Sequence, residues 1–386
     1  MKLKHDLHLA YCTNIHRGET WAETLAALQE YTLAVRDRVC PGKPYAIGLR
    51  LSDLASRELS QPAVLLKFRR WLDRNNCYIF TINGFPYGRF HGQRVKEQVY
   101  RPDWTSDERV NYTNRLFDLL AELLPPGVEG SVSTLPGSFK EFITTDEQRR
   151  AIRANIFRCI EHIARVSTLT GRRLHLGLEP EPLGLLESTE ETLGFFDRLR
   201  AEHPNDSRMA EFLGVNYDTC HLAVEFENPA ESLARLRRHC IKISKLHLSS
   251  ALKVRSTPDA LAALASFADD TYLHQVVARA ADGKLTRYKD LDIALAGPKS
   301  PAEEWRIHFH IPLHSLPTDW LDNTTDHLLG VLDVLQADPH LCSHLEMETY
   351  TWEVMPPELK SRSVVEQLAS EYKWCLDALR VRGLAD

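Results

Sequence analysis

An aspartate and a histidine lie three residues apart at the end of a predicted buried strand. Residues 213–226 read LGVNYDTCHLAVEF, in which apolar side chains alternate with smaller or polar ones until the run stops at Asp218 and His221. The turn after a strand brings the chain back over the strand's carboxyl end, so this carboxylate and this imidazole can converge on one cation. The structural alternative is an aspartate that caps the next helix beside a histidine that is buried without a ligand.

Three more side chains of metal-binding type lie near the carboxyl ends of other predicted strands: Glu179, His247 and Glu348. An ionised carboxylate at the end of a buried strand is costly unless a cation, an arginine or several hydrogen-bond donors face it. Carboxylate and imidazole ligands without thiolate suit Mn²⁺, Zn²⁺, Co²⁺, Fe²⁺ or Mg²⁺, and such a cation polarises an oxygen of a bound substrate. The sequence therefore predicts a divalent metal ion as cofactor.

Two histidines alternate on a further predicted strand, residues 305–314. His308 and His310 face one way and Phe309 the other. Together with His221 they are additional candidate metal ligands, so the prediction is one or two ions per chain.

Polar side chains near the same strand ends are candidate substrate-binding residues. The predicted set from position is Asn83, His91, Arg50, Lys96 and Glu181. His91 and Lys96 belong to a long loop, 84–104, that we expect to close over a polar substrate, because loops of this length inside a compact domain are usually functional. A surface loop held by its own aromatic residues, and an arginine paired inside the protein, are the alternatives. Glu346 shares a strand face with Glu348 and is predicted to be a buried structural partner.

Strands and helices alternate about eight times without hairpin signals, which predicts the α/β class and a parallel sheet closed as a (β/α)₈ TIM barrel. The predicted strands are residues 7–13, 45–51, 77–83, 130–136, 174–182, 213–218, 241–250, 305–314 and 343–351. All strands of such a barrel point their carboxyl ends at one mouth, so the candidate residues form a ring there. We expect residues 1–386 to form one domain, with an insertion at 251–303 on the binding face and the barrel resuming at 305–314.

Composition excludes several classes of protein. Hydrophobic residues make up 43% and charged residues 26% of the 386, which argues against a disordered, fibrous or membrane-spanning chain. A net charge of −6 gives no electrostatic footprint for nucleic acid. The first residues contain no apolar segment of signal-peptide length, and the eight cysteines are scattered, so we expect a cytoplasmic protein with reduced thiols. A homo-oligomer is compatible with the sequence.

Four of these strand ends resemble a known group of barrels. The motifs are GLEP at 177–180, YDTCH at 217–221, KLHLSS at 245–250 and HLEMETYT at 344–351. They resemble the metal-binding strand ends of the xylose-isomerase-like TIM barrels, the sugar phosphate isomerase and epimerase group, which also includes the family-two AP endonucleases. The resemblance implies one divalent ion on Glu179, Asp218, His247 and Glu348, with the two glutamates exchanging protons on opposite faces of the carbon beside a carbonyl. It also implies that His221 binds substrate, as in the epimerases, or zinc, as in the endonucleases.

One branch is resembled more closely. The opening HLAYCTNIHRGETW, the loop INGFPYGRFHGQRVKEQVYRPDW and the strand HFHIPLH are similar to the EboE-type metabolite-traffic proteins. This resemblance implies a small polyhydroxylated substrate, such as a sugar, a sugar phosphate or a cyclitol, in secondary-metabolite biosynthesis or traffic. Strands two and three end near Arg50 and Asn83, where the endonucleases have histidines, which argues against a trinuclear zinc site. His308 and His310 match the place of an Asp-x-His pair in those nucleases, which is compatible with a second metal.

Three functions are consistent with this site. The leading hypothesis is a metal-dependent isomerase or epimerase in which Glu179 and Glu348 act as base and acid while His221 stabilises the developing charge. The second is metal-dependent hydrolysis of a phosphate ester, of the AP-endonuclease type. The third is a protein that binds a metabolite for traffic without converting it. An enzyme is favoured over a binder, because proton-transfer carboxylates beside a metal are costly to keep without a use.

Overall fold

Parallel strands form the inner wall of the fold. The computed structural model describes residues 1–297 and 302–386. Its strands are β1 (His8–Tyr11), β2 (Tyr45–Arg50), β3 (Cys77–Asn83), β4 (Gly130–Thr134), β5 (Leu174–Leu178), β6 (Leu213–Asp218), β7 (Lys242–Leu248), β8 (Ala251–Arg255), β9 (Val276–Ala280), β10 (Leu285–Tyr288), β11 (Ala302–His310), β12 (Asp322–Asn323) and β13 (His344–Met347). Eight of them pair in parallel in the order β1-β13-β7-β6-β5-β4-β3-β2. A parallel bridge between Cys12 and Gly48 brings β1 and β2 together, so the sheet is nearly closed and the predicted (β/α)₈ barrel is confirmed.

Helices connect the strands, and most of them surround the barrel. They are α1 (Trp21–Ala27), α2 (Leu33–Val39), α3 (Asp53–Leu59), α4 (Pro62–Arg74), α5 (Asp107–Leu123), α6 (Asp146–Thr170), α7 (Thr189–Glu202), α8 (Arg208–Phe212), α9 (Thr219–Val224), α10 (Pro229–Arg238), α11 (Pro258–Ala263), α12 (Leu291–Ala296), α13 (Thr325–Ala337) and α14 (Val364–Arg380). Local signals set their ends: Thr145 and Gln148 form a capping box at the start of α6, and Gly171 ends it with a positive φ of 67°. None of the helices in the described part of the chain combines the length and apolarity needed to cross a bilayer.

A second, antiparallel sheet follows β7 and corrects one strand assignment. Its order is β10-β9-β11-β8-β12. Residues 305–314 therefore do not resume the barrel: β11 is the central strand of this sheet, and β9 and β10 form a hairpin. The prediction that residues 305–314 form a barrel strand was wrong because an apolar run with strand periodicity does not show which sheet the strand joins. Residues 298–301, within the predicted insertion, lie outside the described residues.

The second sheet has its own apolar core but is anchored to the barrel. Trp305, Ile307 and Phe309 of β11 belong to that core. The guanidinium of Arg306 donates to the Ala223 carbonyl at 2.6 Å, and the Gln275 amide donates to the Pro182 carbonyl at 3.0 Å. These contacts fix β11 above the carboxyl ends of β5 and β6.

Gly48 in β2 makes room inside the barrel for a buried carboxylate. A Cβ at this position would overlap Glu346 Oε1 and lie 2.7 Å from the carbonyl oxygen of Tyr11, which is backbone that cannot swing away. We predict that Gly48→Ala lowers the free energy of unfolding by about 2–4 kcal/mol, the range for overpacking a rigid core. Chemical denaturation measures this loss. Gly194→Ala is the control, because nothing lies within 4 Å of its Cβ in helix α7; an equal loss in both variants would contradict the steric explanation.

Glu371 in α14 is a carboxyl buried inside the protein. Thr349 Oγ1 and Gln367 Nε2 donate to it at 3.2 and 3.3 Å, and burial raises its pKa to about 8 from 4.5. A carboxyl that keeps its proton in the folded state costs stability as pH rises above the unfolded pKa, at about 1.4 kcal/mol per pH unit. We predict that the stability difference between Glu371→Gln and the wild type grows in favour of the variant from pH 5 to 8.

Denaturation curves at half-unit pH steps test this slope. Glu366→Gln, on the same helix but partly accessible to solvent, controls for the change in net charge. A stability difference between Glu371→Gln and the wild type that stays constant from pH 5 to 8 would show that Glu371 ionises in the folded protein as it does in the unfolded chain.

Candidate metal centre

Four side chains from four barrel strands or strand ends converge at the mouth; we call them the cation cluster. Glu179 follows β5, Asp218 ends β6, His247 lies in β7 and Glu348 follows β13. The Nδ1 atom of His247 lies 2.9 Å from Glu179 Oε1, 3.4 Å from Asp218 Oδ2 and 3.3 Å from Glu348 Oε2. One ligand atom from each of the four lies within 4.8 Å of the others, and all four are buried. The strands bring together every residue of the predicted ligand set.

The two oxygen atoms of the Asp218 carboxylate have different surroundings. Asp218 caps α9: its Oδ1 accepts hydrogen bonds from the backbone of Cys220 and His221 at 2.7 and 3.1 Å and from Ser249 Oγ at 2.6 Å. Its Oδ2, like Glu179 Oε2, has no hydrogen-bond partner among the described residues. Buried carboxylate oxygens without donors favour a cation. Asp218 thus serves as a helix cap and offers a metal ligand, which the sequence presented as alternatives.

Two amides hold Glu348 in place. Asn14 Nδ2 and Asn83 Nδ2 donate to Glu348 Oε1 at 2.8 and 3.2 Å. Because Asn83 Oδ1 accepts from the Phe85 backbone N–H at 3.0 Å, the orientation of the Asn83 amide is fixed. These bonds leave Glu348 Oε2 to face His247. Asn83, predicted to bind substrate, therefore contacts a cluster carboxylate, and its role toward a substrate stays a prediction.

A buried lysine and glutamate orient His247. Lys245 Nζ donates to Glu346 Oε2 at 2.5 Å and to Ser133 Oγ at 3.0 Å, and His247 Nε2 donates to the same Glu346 oxygen at 2.8 Å. Burial alone would raise the pKa of Glu346, but the charge of Lys245 and the bond from His247 lower it to about 2. An ionised Glu346 keeps the proton on Nε2 and turns Nδ1 toward the three carboxylates, as metal-binding histidines require.

The electrostatics of the cluster call for a positive charge. Burial lowers the pKa of His247, but Glu348 and Glu179 outweigh that effect and raise it well above its usual range. For Asp218, burial opposes ionisation, yet His221 and His247 hold its pKa well below the usual range. Three carboxylates and one imidazole are a donor set that fits Mn²⁺, Zn²⁺, Co²⁺, Fe²⁺ or Mg²⁺.

Three histidines form a second group beside Asp218, which we call the histidine group. The Nδ1 atoms of His221, His308 and His310 donate to the Pro180 carbonyl, Gln275 Oε1 and the Glu348 carbonyl at 3.1, 2.8 and 2.9 Å. The Nε2 atoms of His308 and His310 have no hydrogen-bond partner among the described residues. Burial lowers the pKa of both, so their lone pairs are available for a cation. Asp218, His221 and His310 together have metal-binding spacing.

A cavity opens above the cation cluster. Its polar lining comprises Asn14, Asn83, Lys96, Glu179, Glu181, His221, Gln275, His308 and Glu348. Of the cation cluster, the two glutamates line this cavity, whereas Asp218 and His247 lie behind them. Glu181, a predicted substrate-binding residue, is buried with Oε1 lacking a partner among the described residues.

Three other predicted substrate-binding residues have partners within the protein. The Arg50 guanidinium donates to the carbonyls of Gly18, Pro86 and Gly88. His91 donates from Nε2 to the Asn14 carbonyl and accepts from the Tyr272 hydroxyl, both at 2.5 Å. Lys96 lines the cavity, but its Nζ donates to Asp290 Oδ2 at 2.5 Å and to the Asp269 carbonyl at 2.8 Å. Their contact with substrate stays a prediction.

Sequence reasoning missed several residues of the site, namely Asn14, Lys245, Ser249 and Gln275. Lys245 did carry a signal, since it lies two residues before His247 on an apolar strand and therefore on the same face. Asn14 and Gln275 lie outside the strands, and only the folded chain brings them to the mouth.

Comparison with known proteins identifies the fold. No protein-family model matches the sequence, and no curated protein matches it. A xylose isomerase-like TIM barrel protein from Mycobacterium smegmatis in complex with magnesium aligns over 99% of each chain, with a TM-score of 0.55 and 13% identity. An L-ribulose 3-epimerase aligns over 98% of this chain and 96% of its own, and an IolI protein with a bound zinc atom over 97% and 99%; each has a TM-score of 0.52 and 13% identity. The chain therefore has the xylose isomerase-like TIM-barrel fold.

Proposed function

We propose that the protein is a divalent-cation-dependent isomerase or epimerase of a small polyhydroxylated carbonyl compound. One observation carries the proposal: two buried glutamates, Glu179 and Glu348, belong to a four-residue cation cluster and also line the cavity above it. A cation site with two carboxylates open to a substrate suits proton transfer at a carbon beside a carbonyl.

Glu179, Asp218, His247 and Glu348 would hold the cation, which when bound would polarise the carbonyl and hydroxyl oxygens of the substrate. Glu179 and Glu348 come from strands on different sides of the mouth, β5 and β13, so they can serve as base and acid on opposite faces of one carbon. The side-chain amides of Asn14 and Asn83 hold the Glu348 carboxylate in its orientation toward the other cluster residues. His221 also lines the cavity; the Pro180 carbonyl accepts from its Nδ1, and its Nε2 lies 3.8 Å from Asp218 Oδ2.

Proteins of the same fold support this choice. Structural neighbours include an L-ribulose 3-epimerase and a D-tagatose 3-epimerase-like protein. The resemblance of the sequence to EboE-type proteins leads us to propose further that the substrate belongs to secondary-metabolite biosynthesis or traffic.

Hydrogen exchange tests the proposal. The protein loaded with Mn²⁺ or Mg²⁺ is incubated in deuterated water with a panel of ketoses, aldoses and inososes, and deuterium beside the carbonyl is followed by NMR. We expect uptake into at least one compound, lost after chelation and restored by the metal. Full metal occupancy without exchange into any compound of the panel would overturn the isomerase proposal.

The histidine group favours a second candidate, hydrolysis of a phosphate ester by a two-cation site. Its basis is the set of imidazole lone pairs beside Asp218, whose carboxylate faces both groups of ligands. This candidate predicts two cations per chain and cleavage of bis(p-nitrophenyl) phosphate that requires His308 and His310. One cation per chain and no cleavage would remove it.

A further inference from the structure

The cavity above the cation cluster also has an apolar wall. We call the following residues the apolar wall: Phe85, Phe90, Val99, Tyr272, Leu273 and Tyr350. Three of their rings pack against one another, with centroids 5.1 Å apart for Phe90 and Tyr272, 5.3 Å for Phe90 and Tyr350, and 5.3 Å for Tyr272 and Tyr350. The wall is therefore a fixed surface supplied by the long loop, the second sheet segment and the chain after β13.

The same cavity has no free ammonium or guanidinium group among the described residues. Lys96 supplies the lysine of its lining, and that ammonium is 2.5 Å from Asp290 Oδ2, with both side chains less than a tenth exposed. Arg50 and Arg109 lie nearby, but their guanidinium groups donate to backbone carbonyls of the long loop. A phosphate group is usually recognised by such cations or by a helix N-terminus.

Charge at the cluster opposes an anionic substrate as well. One divalent cation does not balance the three carboxylates of Glu179, Asp218 and Glu348. A phosphate dianion would enter a buried site that keeps a net negative charge, where repulsion is screened less than in water. A hydroxyl placed against the apolar wall would lose its hydrogen bonds to water, at a cost of about 1–3 kcal/mol.

We propose that the substrate carries no phosphate and joins a hydroxylated carbonyl head, bound at the cation cluster, to a hydrocarbon part that packs on the apolar wall. The assignment of a carbonyl head rests on the proposed function. The packing of the hydrocarbon part on the apolar wall concerns binding alone and does not depend on the reaction. Each methylene buried there adds about 0.8 kcal/mol, or roughly fourfold in affinity.

Unreactive diols test the wall without the reaction. Titration calorimetry with the Mg²⁺-loaded protein compares ethane-1,2-diol, butane-1,2-diol and hexane-1,2-diol, and glycerol with glycerol 3-phosphate. We expect affinity to rise by about tenfold or more from butane-1,2-diol to hexane-1,2-diol, and glycerol 3-phosphate to bind no tighter than glycerol. Affinity independent of chain length, tighter binding of glycerol 3-phosphate, or no binding of any diol would overturn the proposal.

Variants locate the effect on the wall. Phe90→Ala should shrink the gain for hexane-1,2-diol to less than about threefold while the affinity for ethane-1,2-diol stays unchanged. Leu273→Ala provides the same test if Phe90→Ala does not fold, and Phe142→Ala, outside the cavity lining, is the control. An unchanged gain in a folded wall variant contradicts the proposal. If no hydrogen exchange is found but affinity still rises with the chain length of the diol, the isomerase proposal is overturned and the proposal that the apolar wall binds hydrocarbon is supported.

Discussion

Glu348→Gln should abolish hydrogen exchange, with kcat lowered by at least about 10³-fold, because a general acid or base contributes about 10²–10⁴-fold and this carboxylate also belongs to the cation cluster. Glutamine keeps the size of the side chain, and Asn14 and Asn83 can still donate to its oxygen. The variant should therefore fold. The rate of deuterium uptake and the cation content, measured on the same sample, separate lost chemistry from lost metal.

Glu353→Gln is the matched control. Glu353 lies five residues further along the same segment and pairs with Arg17 at 2.6 Å on the rim. We expect it to exchange at the wild-type rate. A metal-loaded Glu348→Gln protein that exchanges as fast as the wild type would rule out Glu348 as a proton-transfer residue. If instead the wild type shows no exchange with any compound of the panel but Glu348→Gln still binds one of these compounds, the protein binds a metabolite without converting it.

Lys245→Met should weaken cation binding although Lys245 is not among the predicted ligands. Its ammonium keeps Glu346 ionised, and Glu346 holds the Nε2 proton of His247. Loss of such a supporting contact typically lowers metal affinity by about 10–100-fold. The uncompensated carboxylate of Glu346 should also reduce the free energy of unfolding by about 3–5 kcal/mol. Competition with a chelating dye and chemical denaturation measure the two effects separately.

Two further variants make the Lys245 prediction specific. In Lys245→Met/Glu346→Gln no buried charge is left unpaired, so much of the free energy of unfolding should be regained. The cation affinity should stay about tenfold below that of the wild type, because a neutral amide in place of the Glu346 carboxylate makes His247 a weaker ligand. Lys242→Met lies on the same strand, where its side chain is 32% exposed, and should change neither quantity. Wild-type cation affinity in the folded Lys245→Met protein would show that Lys245 has a structural role only.

The barrel and the place of the cation cluster could be predicted from the sequence. Buried parallel strands read as short apolar runs, and parallel strands in a barrel share one mouth, so the candidate carboxylates and histidines could be placed in one ring without knowing their distances. The resemblance to known barrels then singled out Glu179, Asp218, His247 and Glu348 as the ligand set. Registers such as Asp218 opposite His247 and His247 opposite Glu346 then follow from the pairing of β6, β7 and β13.

The sequence could not show which strand or side chain a residue would contact. Residues 305–314 have strand periodicity, but the sheet to which a strand belongs depends on its neighbours in the folded chain, and β11 pairs antiparallel with β8 and β9. Arg50 and Lys96 are predicted from the sequence to bind substrate. Instead, backbone carbonyls accept from the Arg50 guanidinium, and Asp290, nearly two hundred residues away from Lys96, accepts from the Lys96 ammonium. Lys245 belongs to the motif KLHLSS, but nothing in the sequence shows that its ammonium contacts Glu346.

Cation binding to the intact protein decides whether the cation cluster is a metal site. Crystals grown with Mn²⁺ and measured at the manganese absorption edge would locate the ion by its anomalous scattering. We expect a strong peak in contact with Glu179, Asp218, His247 and Glu348, and its loss in Asp218→Asn. If the protein takes up no divalent ion at millimolar concentration, or binds an ion without any of these four side chains, the cation cluster is not a metal site.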